Sequence, residues 1–272
     1  MPAPIKDFSP RPPFALFASS WFYCLPLVVV SLAAADDQKP TLFIVGDSTV
    51  KNSTRGQEGW GDPLIKLFDP ARIKVENHAI GGRSSRTFQN EGRWDRILSV
   101  AKQGDFVLIQ MGHNDGGPLD DNARARGSLP GIGEETREID NPITGKHEVV
   151  HTYGWYLRKY VADARAKGMT PILVSPIPHV PRQPVETGQR EASKHVAWSE
   201  EVAAAEKTLF IDLNRLVMAK YVGLEPAQIK EKYFTPADNG HTGPAGAELN
   251  AAAVVEGIRG LKDCPLASCI VP

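Results

Sequence analysis

Apolar residues along the chain follow two different spacings that take turns. Short runs rich in strand formers occur at residues 41–45 (TLFIV), 72–79, 105–111 (DFVLIQM), 170–175 (TPILVS) and 209–211 (LFI). Several of them close on glycine, at Gly46, Gly81-Gly82 and Gly112. Between them, longer segments place apolar residues three and four apart. Trp94, Ile97, Leu98 and Ala101 share one face of a helix predicted over 91–102. Tyr156, Leu157, Tyr160, Val161 and Ala164 do the same over 153–167, with Gly168 as its cap. Two further helices are predicted at 192–207 and 245–261. Five strands separated by helices of this length predict a parallel sheet with helices on both faces, in one α/β domain.

Two stretches break the alternation. Residues 115–150 are rich in Gly, Pro, Asp and Asn, and residues 176–191 carry Pro176, Pro178, Pro181 and Pro184. Insertions of this length read as structureless functional loops. Both follow predicted strands at the carboxyl end of the sheet, where open parallel sheets bind ligands. They are expected to wall a cleft.

Composition changes the picture mainly at the N-terminus. The chain has 272 residues, 42% hydrophobic, with 31 Lys+Arg against 32 Asp+Glu and a net charge of −1. That balance argues against a nucleic-acid partner, which calls for a basic face. Lys6 and Arg11 precede an apolar run over 14–32, which ends in Ala33-Ala34-Ala35. A positive start, an apolar centre and an A-x-A end make a signal peptide over 1–35, leaving residues 36–272 as a single domain. An uncleaved anchor is the alternative, weakened by Ser19, Ser20 and Pro26. Cys24 follows Trp-Phe-Tyr, which does not suit a lipoprotein signal. The mature protein is expected to be a secreted or periplasmic monomer, away from membranes. Cys264 and Cys269 remain, either as a small disulfide loop or as two free thiols.

Candidate chemistry gathers at the strand ends. Ser48, in Gly46-Asp47-Ser48, follows the first strand and needs a base to become a nucleophile; the same tripeptide would equally cap a helix. His241 is the candidate base. Asp238, three residues earlier, can reach its imidazole and fix the tautomer, although Asn239-Gly240 is also an ordinary turn. Acyl transfer further needs donors for an oxyanion. The backbone N–H groups of Ser48 and Gly82 and the carboxamide of Asn114 are the candidates. No G-x-S-x-G elbow is present.

Taken in order, Gly-Asp-Ser, a glycine after the second strand, Gly112-His113-Asn114-Asp115 and Asp238-x-x-His241 resemble the SGNH/GDSL hydrolases. The resemblance spans about residues 41–261. Gly46-Asp-Ser-Thr-Val50, Gly59-Trp-Gly-Asp62, Gly82-Arg-Ser-Ser-Arg-Thr-Phe88, Gly92-Arg-Trp94 and Tyr153-Gly-Trp-Tyr156 are similar to the rhamnogalacturonan acetylesterases within that family. The likeness implies a flavodoxin-like three-layer α/β/α sandwich with a five-stranded parallel sheet, and no metal or other cofactor. It implies Ser48, His241 and Asp238 as catalytic triad, with Ser48, Gly82 and Asn114 forming the oxyanion hole. The implied substrate is an acetylated pectic polysaccharide, with acetylated xylan or another glycan as the alternative.

One motif competes. His147-Glu148-Val149-Val150-His151 matches the H-E-x-x-H zinc-peptidase signature, which works only on a helix. Turn signals upstream and two β-branched valines predict instead an extended loop leading into a helix. A zinc peptidase and a non-catalytic carbohydrate-binding protein are the rival classes. Arg83 and Arg86 are candidate substrate contacts, because guanidinium groups pair bidentately with carboxylates. His113 and His151 are further candidates to line the cleft. Trp60 and Trp155 would stack on sugar rings or pack in the core.

Overall fold

In the computed structural model, which describes residues 39–272, the first strand β1 (Thr41–Gly46) is buried along its whole length. It is followed by α1 (Gly61–Ile65), β2 (Lys74–Asn77), α2 (Ser85–Asn90), α3 (Arg93–Val100) and β3 (Phe106–Gln110). A hairpin of β4 (Thr136–Asn141) and β5 (Lys146–His151) comes next, then α4 (Tyr153–Ala166), β6 (Thr170–Val174) and α5 (Lys194–Ala205). The chain closes with β7 (Leu209–Ile211), α6 (Leu213–Lys220), α7 (Pro226–Tyr233), α8 (Pro244–Gly260) and a 3-10 turn (Pro265–Cys269). The predicted signal segment lies outside the described residues. Among those described, no helix is long and apolar enough to cross a membrane.

Five strands form one parallel sheet in the order β2-β1-β3-β6-β7. Alternate side chains of each strand face opposite ways, and both faces are apolar because helices cover both. Leu42, Ile44, Leu108, Ile172 and Val174 meet α1, α6, α7 and α8. Phe43, Val45, Val107, Ile109 and Leu173 meet Phe88, Trp94, Tyr160 and Val202 from α2–α5. The result is the α/β/α sandwich expected from the alternation.

The chain leaves β1 toward one edge, through β2, and returns through β3 toward the other. That reversal puts a crevice between the carboxyl ends of β1 and β3, where open α/β sheets bind ligands. Gly46 ends β1 where a Cβ would lie 2.3 Å from Val50 Cγ2. Only glycine lets the following turn fold back so tightly.

The long insertion differs from its prediction. Instead of a structureless loop over 115–150, its second half forms the antiparallel β4–β5 hairpin, in register from Thr136↔His151 to Asn141↔Lys146. His147, Glu148 and His151 therefore sit on a strand. Four residues of strand span roughly 13 Å, too far for both imidazoles to reach one zinc ion at about 2 Å. Cys264 and Cys269 are buried free thiols.

Candidate active site

Ser48 lies in the turn after β1. Val50 and Lys51 both donate their N–H groups to Asp47 O, at 3.1 and 3.0 Å, in the turn that places Ser48 at the carboxyl end of β1. Its Oγ is 2.8 Å from His241 Nε2. On the far side of the ring, Nδ1 is 2.8 Å from Asp238 Oδ2. Asp238 Oδ1 also accepts from the backbone N–H groups of Gly240 and His241, at 2.8 and 2.7 Å. Burial pushes the Asp238 carboxyl up, but these bonds outweigh it and hold the group below the ordinary carboxylate value. An ionised carboxylate only accepts, so it fixes the proton on Nδ1 and leaves Nε2 free to take the Ser48 hydroxyl proton.

Sequence reasoning missed Gln57. Its Nε2 donates to Asp238 Oδ2 at 3.1 Å, and its Oε1 accepts from Asn52 Nδ2 at 2.8 Å. The only signal for it was its place in the short loop after Ser48.

Ser48, Gly82, Asn114 and His241 line one cavity of about 550 Å³. Gly82 follows β2 with φ +79°, a conformation that side-chain-bearing residues rarely adopt. Among the described residues, neither Ser48 N–H nor Gly82 N–H donates to a protein acceptor. Asn114 Nδ2 spends one of its two hydrogens on Arg83 O at 2.8 Å, which fixes the amide plane and leaves the other. These donors converge where a developing oxyanion could be held.

Behind the site runs a buried polar chain that ties three strand ends together. Asp47 is fully buried; its Oδ1 accepts from Thr49 N and Thr49 Oγ1 at 2.9 and 2.7 Å. Its Oδ2 faces His113 Nδ1 at 3.3 Å, while His113 Nε2 meets Ile177 O at 3.1 Å. Both partners of the imidazole are acceptors, so the arrangement calls for a ring protonated on both nitrogens. Burial opposes charge on each group. Their mutual attraction wins, holding Asp47 below and His113 above their ordinary values. His113 lines a neighbouring cavity with its ring, but neither nitrogen is free for a ligand.

Asp115, one residue beyond Asn114, accepts from Ser85 N, Ser85 Oγ and Ser128 Oγ. Burial pushes its carboxyl up to about 6. It anchors the start of α2 to the long insertion.

Three candidate substrate contacts do not line the Ser48 cavity. Arg86 is fully buried, with Nη2 donating to Leu119 O and Ala125 O and Nη1 3.7 Å from Glu148 Oε2. It braces the insertion and cannot reach a ligand. Arg83 Nε donates to both oxygens of Glu91 at 3.1 Å, so its charge is already matched. His151 stacks on Trp155 at a centroid distance of 3.7 Å, in a separate depression that contains neither Ser48 nor His241. It ends β5, a strand whose position could not be read from the motif. Trp60 is core, with Nε1 donating to Gln110 Oε1 at 2.8 Å. Among the described residues, no group of three or more His, Cys, Asp or Glu side chains is placed to hold a metal ion. Glu148 instead accepts from Asn90 and Asn141.

Residues 44–249 match the model of the GDSL-like lipase/acylhydrolase family. A rhamnogalacturonan acetylesterase from Emericella nidulans is 31% identical over 220 residues, covering 80% of this chain and 84% of the relative. A probable rhamnogalacturonan acetylesterase, YesY from Bacillus subtilis, is 32% identical over 241 residues, covering 85% and 97%. The crystal structure of YxiM from Bacillus subtilis superposes with a TM-score of 0.64 at 27% identity, covering 81% of this chain and 56% of that one.

Proposed function

This chain belongs to the GDSL-like lipase/acylhydrolase family and is a carboxylic ester hydrolase, and from that premise we propose that it removes O-acetyl groups from pectic polysaccharide. The observation that carries the mechanism is the line from Asp238 Oδ2 through His241 to Ser48 Oγ, with both hydrogen-bonding distances at 2.8 Å. His241 Nε2 takes the Ser48 proton as Oγ attacks the acetyl carbonyl. The oxyanion is held by the N–H groups of Ser48 and Gly82 and by Asn114 Nδ2. As the tetrahedral intermediate collapses, the sugar oxygen leaves with the proton from His241. Water then enters, gives a proton to His241 and attacks the acetyl-serine, releasing acetate and restoring Ser48. Asp238 keeps the ring aligned and stabilises its charged form.

The two acetylesterase relatives, each above 30% identity, favour an acetylated rhamnogalacturonan as substrate. Acetate release from acetylated pectin and acetylated xylan tests this directly. The wild-type protein is expected to favour pectin. Ser48→Ala should remain folded by circular dichroism and lose at least about 10³-fold in kcat. Full retained activity would sink the mechanism, and acetate release from xylan alone would sink the pectic substrate. We further propose that residues 1–35 direct export and are then removed. Mass spectrometry of the secreted protein, finding Asp36 at the N-terminus, is the expected result.

A further inference from the structure

The wall of the Ser48 cavity is cationic on one side and holds no carboxylate. Lys51, Arg124 and Arg126 line it, and no Asp or Glu does. Lys51 Nζ donates one of its three hydrogens to Asn77 O at 3.1 Å. Arg124 and Arg126 differ from Arg83: among the described residues, neither has an acidic side chain within ion-pair distance. Arg126 Nη1 donates to Gly82 O at 3.1 Å, which seats the guanidinium beside the glycine of the oxyanion site. Its Nε is buried without a partner among the described residues. In a chain whose charges nearly cancel, two unmatched guanidiniums at the nucleophile stand out.

The segment that carries them is held in a costly shape. Ala125, between the two arginines, is buried and has φ +39°, a left-handed conformation that residues with a Cβ rarely adopt. Two groups hold it. Asp121 Oδ1 accepts from the backbone N–H groups of Arg124 and Ala125, and its carboxylate lies outside ion-pair distance of either guanidinium. From below, the buried Arg86 donates to Ala125 O and Leu119 O. One arginine thus serves as the pillar that presents two others.

We propose that Arg124 and Arg126 form a carboxylate clamp that takes the uronate of the sugar unit at or next to the acetylated one. The inference deepens the pectic reading and rests on it. It names the feature by which this site would prefer an anionic glycan to a neutral xylan. A planar guanidinium matches a carboxylate bidentately. A cleft lined by one sign of charge also concentrates ligands of the opposite sign. Methyl esterification of the uronate would remove the charge while leaving the acetyl group in place.

The test compares acetylated pectin with its carboxylates free against the same polymer methyl-esterified, by acetate release. Wild-type kcat/KM should be about tenfold higher on the free acid, and the gap should narrow with added salt. In Arg124→Gln and Arg126→Gln the ratio between the two polymers should fall toward one, and Arg124→Lys should retain part of it. A preference that survives in both glutamine variants overturns the clamp. Because Arg126 also touches Gly82 O, Arg124→Gln keeps the test valid if Arg126→Gln proves unstable. Calorimetry of the Ser48→Ala protein with unacetylated oligogalacturonate separates the two readings. Binding lost on Arg124→Gln supports the clamp even if acetylated pectin proves not to be hydrolysed. An absence of binding overturns the clamp whatever the esterase cleaves.

Discussion

Replacing His113 with phenylalanine would strand a buried negative charge directly behind the nucleophile. Asp47 is fully buried and the His113 side chain is only 10% exposed, so water cannot take over for the lost cation. At 3.3 Å and an effective dielectric constant of about 20, the attraction is about 5 kcal/mol before the cost of desolvating either group. Removing one partner of such a pair costs about 3–5 kcal/mol. Ile177 O also loses its donor. Urea unfolding of His113→Phe should therefore show a loss of about 3–5 kcal/mol. In an Asp47→Asn background the same substitution should cost about 1 kcal/mol, because an uncharged amide needs no counter-ion. The pH dependence adds a signed check. His113 is held above its ordinary 6.5, so its contribution is complete below pH 6.5 and is lost as pH rises through the folded value. Asp47 is held below its ordinary 3.8, so its share is present above pH 3.8 and is lost as pH falls further. The alkaline fall in stability should vanish in His113→Phe. Additive losses in the two backgrounds, or a cost under about 1 kcal/mol, would refute a charged pair.

Three other substitutions probe the site and its support. Asp238→Asn should lower kcat by about 10²–10⁴ with little change in KM, measured on p-nitrophenyl acetate; an unchanged kcat would remove Asp238 from the mechanism. Gly82→Ala should lose about 1–2 kcal/mol of stability and more than tenfold in kcat, since φ is +79° and the added Cβ would lie 3.4 Å from Arg126 Nη1. A fully active variant would mean that the turn keeps its shape with a side chain at this position. Glu148→Ala should destabilise by about 3 kcal/mol, by leaving the buried Arg86 without its counter-charge, while kcat per folded molecule stays constant. Lost turnover with unchanged stability would revive a direct role for the H-E-x-x-H segment.

The five sheet strands were legible as short runs of strand formers, because helices cover both faces of the sheet, and four of the helices because burial on one face imposes a period of 3.6. Thr152 and Gly168, which bound α4, also carry cap chemistry that can be read locally. Six-residue α2 was not read, being too short to show a period; its capping box between Ser84 and Thr87 was the available cue. Leu213, Leu216 and Val217 have helical spacing in α6, but that helix has only eight residues and follows β7 after a single residue, so the two apolar runs merge in the sequence. Ser48, Gly82, Asn114, Asp238 and His241 could be picked out because strand ends and turn residues mark the crevice. Which arginine faces it could not. Arg83 and Arg86 sit nearer the motif in sequence, yet α2 turns one into the interior and Glu91 matches the other. Arg124 and Arg126 arrive from an insertion whose path depends on contacts with Arg86 and Gly82, which lie 39 and 44 residues from their partners along the chain.

The nucleophile and its base lie 193 residues apart. The chain's last residues are bound to the neighbourhood of the first helix: Asp69 N donates to Cys269 O at 2.8 Å, and Val271 N to Leu67 O at 3.0 Å. A chain still being made therefore carries Ser48 long before His241, its hydrogen-bonding partner, exists. The Ser48–His241 contact forms only once the segment around residue 241 has folded against the turn after β1. A truncation before residue 238 would remove both Asp238 and His241 and is expected to abolish ester hydrolysis, measured on p-nitrophenyl acetate.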